Sequence, residues 1–349
     1  MTKKIIFRAD GNATTGLGHL YRLFALVEMY KNDYDFVFVT KKASILNIIP
    51  SDYKIKLIPE SISIEQEPDW LVSLFNSNKY IIIADGYQFI STYQRQIKEK
   101  GFKLIYIDDL AKEHMFADIV VNHSPHAQEN HFSKERYTKL ALGTKYALLR
   151  PLFLDEAKQT KTIQTIDSAF VCFGGADSLN LTQKAVEAIL QIPNFKKIHI
   201  VLGGAYPHKE IFNFEETYSN KLTIYRNLTE DELIKVMKKC NFAVAPASTI
   251  LYELSCIKMP VLSGYYVENQ KNIYRVLAEK KAIIEGGDFS NYTILDFKQK
   301  IKSILQHNNL DLFSANQYEL FNGNSKIHFL RLLNKLNISF RKAIAKDVT

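Results

Sequence analysis

Short apolar runs recur along this chain with amphipathic segments between them, and that pattern constrains its fold more than any other feature. In the first half the runs cover residues 5–8, 34–39, 55–58, 80–84, 103–107, 119–121 and 139–142, with helices expected over 18–30, 64–75 and 92–100. Hydrophobicity that is continuous rather than alternating marks strands covered on both faces, hence a parallel sheet with helices on each side. A polar stretch over 155–165, rich in Lys, Gln and Thr, has the character of a connector. The alternation then restarts, with strands expected over 169–173, 198–202, 222–225, 242–245 and 260–264 and helices over 181–190, 231–239, 250–257 and 269–280. At 349 residues the chain exceeds what one core usually supports. We therefore expect two doubly wound α/β domains, over 1–155 and 165–290, and a helical tail over 291–349. Ligands of such sheets bind beyond the carboxyl ends of the strands, so two facing domains would gather their loops around one cleft.

The first strand runs through Phe7-Arg8-Ala9-Asp10 into Gly11 and then Gly16-Leu17-Gly18-His19-Leu20-Tyr21-Arg22. A strand, a glycine loop and a helix N-terminus present backbone N–H groups to an anion. Two phosphate motifs are excluded here. Tyr21 stands where a dinucleotide fingerprint beginning at Gly16 needs its third glycine, and Leu17 follows Gly16 where a P-loop needs lysine. His19 adds a titratable imidazole at the mouth of the loop, a residue type suited to proton transfer near neutrality. A plain turn with a capping or solvated histidine fits the same spacing.

Composition narrows the ligand. Lys and Arg number 45 against 37 Asp and Glu, a formal charge of +8, which favours anionic partners such as nucleotide sugars. No basic run interleaved with aromatics points to nucleic acid. Cys172, Cys240 and Cys256 show no C-x-x-C spacing, as in reduced, buried thiols of a cytosolic protein. Met1-Thr2-Lys3-Lys4 enters a strand without the apolar stretch of a signal peptide, and no window approaches the roughly eighteen apolar residues of a membrane span. The basic end of the tail (Lys335, Arg341, Lys342, Lys346) reads as a solvated helix face.

In the second half Phe173 leads into Gly174-Gly175-Ala176-Asp177, where adjacent glycines let a ligand approach the backbone. Gly203-Gly204 end the next strand, as a turn equally would. The segment Ala247-Ser248-Thr249-Ile250-Leu251-Tyr252-Glu253 offers hydroxyls and helix amides for a diphosphate, with Glu253 one turn on to accept from ribose hydroxyls. An ordinary capped helix has the same pattern. Asn269 and Gln270 open a further helix, as sugar-phosphate contacts or as caps. Asp85 and Tyr87 follow one strand, and Asp108-Asp109 another, where ligands or helix caps are both found. His123, His126 and His131 lack a helical metal-ligand spacing, so no metal is expected.

With these residues placed, the chain resembles the PseG-type family, UDP-2,4-diacetamido-2,4,6-trideoxy-β-L-altropyranose hydrolases of pseudaminic acid biosynthesis. The resemblance runs from Ile5 to about Lys280 through FRADG…GLGH…R (7–22), IIIADGY (81–87), DD…ADIVVN (108–122), YALLRPLF (146–153), GGAD…NLT (174–182), ASTILYE (247–253) and ENQ (268–270). It implies a GT-B-like fold, two Rossmann-like domains facing across a cleft, in which water attacks the anomeric carbon and expels UDP without a cofactor or metal. By the same resemblance His19 activates that water. Gly16, Gly18, Arg22, Asp85 and Tyr87 lie on the sugar side, Gly174, Gly175, Ser248, Thr249 and Glu253 hold the nucleotide, and Asn269 and Gln270 the sugar-phosphate. The implied partners are a UDP-linked di-N-acetylated sugar and UDP, on a monomer serving flagellin or surface glycans.

Two departures bear on the sugar more than on the reaction: Gly86 stands where relatives carry histidine before the tyrosine, and Ala84 precedes Asp85. The alternatives are a GT-B glycosyltransferase using a UDP-sugar donor and a nucleotide-sugar-binding protein without turnover.

Overall fold

In the computed structural model, which describes residues 3–12, 16–306 and 310–336, the apolar runs become parallel strands. The chain divides into two units: one runs to Pro151 and resumes at Asn324, the other is Leu152–Gly323.

The first unit is built from β1 (Lys4–Ala9), α1 (Gly18–Tyr30), β2 (Phe36–Lys41), β3 (Ile55–Ile58), α2 (Glu67–Leu74), β4 (Tyr80–Asp85), α3 (Ser91–Glu99), β5 (Lys103–Ile107), β6 (His114–Met115), β7 (Ile119–Asn122), β8 (Ser133–Lys134) and β9 (Lys139–Leu142). Seven strands form one sheet in the order β3-β2-β1-β4-β5-β7-β9, while β6 and β8 pair separately. All neighbours in the large sheet run parallel. Ile6, Val39, Ile82, Leu104 and Val120 are buried against Leu71 of α2 and Ile97 of α3, and Ile5, Phe7, Phe38, Ile83 and Ile105 on the opposite face are buried as well, which explains why these strands carry no polar face. Strand order reverses between β1 and β4, and their register sets Ala9 beside Asp85. Such a switch point is where a doubly wound sheet receives its ligand.

One buried residue of β1 breaks the apolar rule. Arg8 is fully buried, its Nε and Nη2 donating to Glu67 Oε1 and Oε2 at 2.7 and 2.8 Å, and Nη1 and Nη2 to Asp10 at 2.5 and 2.7 Å. Tyr93 adds a hydroxyl donor to Glu67 Oε1 at 2.7 Å, and the guanidinium lies 5.1 Å from the Phe89 ring centroid. A charge held inside a sheet requires this degree of pairing.

The second unit begins within α4 (Pro151–Glu156) and continues through β10 (Ser168–Val171), α5 (Leu181–Leu190), β11 (Lys197–Leu202), α6 (Ile211–Thr217), β12 (Leu222–Arg226), α7 (Glu230–Lys238), β13 (Phe242–Pro246), α8 (Thr249–Cys256), β14 (Val261–Tyr265), α9 (Glu268–Glu279), β15 (Ile284–Asp288), α10 (Ile294–Leu305) and α11 (Asp311–Leu320). Its sheet order, β12-β11-β10-β13-β14-β15, repeats the first unit's reversal, here between β10 and β13. β15 and α6 escape the sequence reading. The strand is Ile-Glu-Gly-Gly-Asp at a sheet edge, and only its first and third residues are buried.

Two expected boundaries move. The polar stretch 155–165 packs into the second unit instead of connecting two domains: Lys258 Nζ donates to Ala157 O at 3.1 Å, Lys161 Nζ to Cys240 O at 2.9 Å, and Ile163 is buried. The segment 291–349 is not one tail. Phe297, Ile301 and Ile304 of α10 enter the second unit's core, and Gln317 of α11 donates to Met259 O and Ala282 O at 2.8 and 3.0 Å. α12 (Ser325–Asn334) joins the first unit, burying Phe329, Leu332 and Leu333, and Tyr30 Oη donates to Phe329 O at 2.7 Å. Arg341, Lys342 and Lys346 lie outside the described residues. Among those described, no helix is long and apolar enough to cross a membrane.

Candidate active site

At the switch point of the first unit, the carboxyl ends of β1 and β4 and the start of α1 converge. Gly16 closes the loop after β1 by donating its N–H to Asn12 O at 2.9 Å, with φ at +77°, a conformation open chiefly to glycine. Gly18 has no such constraint and space for a side chain, so the backbone does not require glycine there. α1 therefore begins with His19 in its first turn and Arg22 one turn later on the same face.

Both side chains turn to Asp85, which is fully buried at the end of β4. His19 Nδ1 lies 2.7 Å from Asp85 Oδ1, and Arg22 Nε and Nη2 donate to Asp85 Oδ2 and Oδ1 at 2.8 and 2.6 Å. Arg22 Nη1 contacts both oxygens of Asp109 at 2.6 Å, and Tyr87 Oη donates to Asp109 Oδ2 at 3.3 Å. Because a carboxylate only accepts, we assign the Nδ1–H tautomer to His19, donating to Asp85. The remaining lone pair of the ring is then on Nε2. The Tyr87 ring stands edge-on to the imidazole with centroids 4.7 Å apart.

His19 and Tyr87 line a cavity of about 360 Å³ together with Asp10, Asn12, Lys41, Ala43, Ser44, Ile64 and Gln88. Asp10 organises its wall. The carboxylate accepts from Arg8, from the Lys41 N–H at 2.7 Å, from Thr40 Oγ1 at 3.1 Å and from Gln88 Nε2 at 3.2 Å. Burial alone would raise its pKa, but Arg8's charge and these donors outweigh burial and hold it below the ordinary carboxylate value. Asp109 behaves alike: burial opposes ionisation, and the Arg22 charge and hydrogen bonds override it.

His123, one residue past β7, is buried and accepts the Leu148 N–H on Nδ1 at 3.2 Å. Burial, reinforced by Arg22's charge, lowers its pKa from 6.5 to about 4. The unfolded chain therefore binds a proton between pH 6.5 and 4 that the folded chain refuses. Stability is full above pH 6.5 and falls through that window, by about 3 kcal/mol for this group. Urea midpoints should drop as the pH is lowered from 6.5 to 4, with a flatter dependence in His123→Gln; equal slopes would refute the assignment. No group of three His, Cys, Asp or Glu suited to a metal ion occurs among the described residues.

At the second unit's switch point, the loop after β10 holds Gly174 at φ +84° and an exposed Gly175. A Cβ on Gly203 would lie 2.4 Å from Gly174 O, so the two glycine turns pack backbone to backbone. Asp177 caps α5, accepting the Leu181 and Thr182 N–H groups at 2.9 and 2.8 Å. After β13, Ser248 is the N-cap of α8 without a side-chain cap bond, Thr249 is exposed, and Glu253 is buried one turn later. Asn269 is exposed in the first turn of α9, whereas Gln270 is buried and its Oε1 accepts the Tyr266 N–H at 3.0 Å.

The sequence-derived residues thus fall into two clusters, one in each unit. Arg22 is tied into this network through Nε, Nη1 and Nη2, which all contact carboxylate oxygens of Asp85 or Asp109. Asp10, Lys41, Ser44 and Gln88 have no role that the sequence reveals, and for Asp109 the sequence leaves ligand site and helix cap equally open. The available signal for Asp109 was its place just past β5 at the sheet's carboxyl edge.

No family model matches the chain. Over 288 residues it is 28% identical to the UDP-2,4-diacetamido-2,4,6-trideoxy-beta-L-altropyranose hydrolase of Campylobacter jejuni subsp. jejuni, covering 81% of this chain and 98% of that protein. An uncharacterized protein of Methanocaldococcus jannaschii is 29% identical over 286 residues, 78% of this chain, and the match spans only 57% of that relative's length. Among solved structures, MurG of Acinetobacter baumannii superposes with a TM-score of 0.64 at 13% identity, covering 95% of this chain and 99% of that one. Spinosyn rhamnosyltransferase SpnG, complexed with thymidine diphosphate, gives 0.62 at 12% identity, covering 96% and 100%. The fold is GT-B-like, with two Rossmann-like domains, and in sequence the chain resembles the altropyranose hydrolase.

Proposed function

We propose that the chain hydrolyses the anomeric C–O bond of a UDP-linked 2,4-diacetamido-2,4,6-trideoxy hexose, giving the free sugar and UDP in nonulosonic (pseudaminic) acid biosynthesis. The observation that carries this reading is the imidazole of His19 in a cavity wall, held through Nδ1 by the buried Asp85. In this reaction a water oxygen bonds to the anomeric carbon as its proton passes to Nε2. The electrons of the breaking C–O bond go to the departing phosphate oxygen of UDP. Asp85 stabilises the imidazolium that forms, which afterwards returns the proton to solvent. Displacement by water in one step inverts the anomeric configuration.

The two residue clusters have different roles in this reading. His19 meets the water, with Gly16, Gly18, Asp85 and Tyr87 on the sugar side and Arg22 ordering them. Gly174, Gly175, Ser248, Thr249 and Glu253 hold the nucleotide, and Asn269 with Gln270 the sugar-phosphate. The amides of α8 and of the glycine turn after β10 suit a diphosphate leaving group. Similarity to the Campylobacter hydrolase supports the substrate class.

The test is incubation with UDP-linked di-N-acetylated 6-deoxy sugars and no acceptor, with products read by mass spectrometry and proton NMR. Stoichiometric UDP and free sugar are expected. Negligible UDP release until an acceptor is added would replace hydrolysis by glycosyl transfer, and binding without turnover would make the protein a nucleotide-sugar-binding protein.

A further inference from the structure

His19 Nδ1 has two polar neighbours that demand opposite things of it. Asp85 Oδ1, at 2.7 Å, can only accept and requires Nδ1–H; Arg22 Nη2, also at 2.7 Å, can only donate and requires a bare Nδ1. The two neutral tautomers differ in chemistry. Nδ1–H leaves the Nε2 lone pair for a proton, whereas a bare Nδ1 places the proton on Nε2 and removes the base. Something must therefore direct the Arg22 hydrogen elsewhere.

We propose that Asp109 is a positioning residue that selects the His19 tautomer by anchoring Arg22. Both Asp109 oxygens lie 2.6 Å from Nη1, and Asp85 takes Nε and Nη2 on its two oxygens. A guanidinium is planar and its donors are fixed in a fork, so clamping Nη1 and Nε fixes the direction of the Nη2 hydrogens. With the plane held, the Nη2 hydrogen on the Nε side runs to Asp85 Oδ1 at 2.6 Å, and the second points about 120° away from it. The Asp109 charge also offsets that of Arg22, whose potential would otherwise favour a lone pair on Nδ1. Tyr87, through its hydroxyl on Asp109 Oδ2, ties the exposed edge of the cavity to the same anchor. Arg22 and Asp109 thus act on the reaction only through the imidazole.

This inference deepens the proposed hydrolysis and rests on it for its catalytic meaning, but the tautomer is measurable without substrate. The imidazole ¹⁵N shifts of His19 in the full-length, ligand-free protein, above the pH at which the ring is protonated, should report Nδ1–H in the wild type. Asp109→Asn should move the population toward Nε2–H, and Asp109→Glu should restore the wild-type pattern. In steady state, Asp109→Asn should lower kcat on the order of 10- to 100-fold with KM changed less than about twofold, because a wrong tautomer removes the base and leaves substrate contacts intact.

A wild-type ring protonated on Nε2, or an Asp109→Asn spectrum identical to wild type, overturns the proposal, and the wild-type measurement needs no variant to fold. If the wild type releases no UDP, the hydrolase reading fails while the ¹⁵N spectra still decide the role of Asp109.

Discussion

Replacing His19 by asparagine is expected to lower UDP release about 10²- to 10⁴-fold while leaving UDP affinity within about twofold of wild type. Asparagine can still donate to Asp85, so the buried carboxylate keeps a partner, and the residues proposed to hold the nucleotide are left unchanged. What disappears is the lone pair that receives the water proton. Single-turnover kinetics with titration calorimetry for UDP separate the two quantities. Turnover within about threefold of wild type would remove His19 from the mechanism, and a parallel loss of UDP affinity would make its role structural.

The other large effect concerns the first unit's stability. Arg8→Met should destabilise that unit by about 3–5 kcal/mol, because Glu67 and Asp10 would keep their charges without the buried cation that compensates them. For a unit of this size the thermal midpoint should fall by roughly 10 °C. The double variant Arg8→Met with Glu67→Leu should recover part of the loss, since removing both charges from a buried pair costs less than stranding one. Differential scanning calorimetry on the three proteins decides it, and a loss below about 1 kcal/mol would show that water relieves the stranded carboxylates. Arg8 also pins Asp10, which in turn holds Gln88 and the Lys41 backbone, so the variant should loosen the cavity wall that faces His19.

Much of the architecture was legible because burial on two faces writes itself into a strand as continuous hydrophobicity. The runs at 5–8, 80–84 and 103–107 each fall within a central strand of the first sheet, and those at 169–173 and 242–245 overlap the pair at the second sheet's reversal. β15 carried no such mark, since an edge strand of Ile-Glu-Gly-Gly-Asp needs few apolar side chains. The two boundaries failed for a related reason. Polarity at 155–165 resembles a linker, but it says nothing about Ile163 or about a lysine of α8's neighbouring turn reaching Ala157 O. Helical periodicity beyond 291 gave α10 and α12 their apolar faces without saying which core each would cover.

The site divides along the same line. Local spacing alone put His19 in the first turn of a helix after a glycine loop and Arg22 one turn further, because three residues make nearly one turn. It also put Asp85 and Asp109 at the carboxyl ends of strands. What remained undetermined was that Asp85 would be the shared acceptor of both, that Asp109 would close on the far side of Arg22, and that Arg8 would find Glu67 across 59 residues. The pairings of Asp85 and Asp109 depend on strand order, which brings β4 against β1 and β5 against β4, and that of Arg8 on α2 packing against the sheet. Period and capping act within a few residues, so sequence determined the elements and the chemistry each one carries. Which carboxylate neutralises which cation is a contact between distant segments, and only the packed sheet decided it.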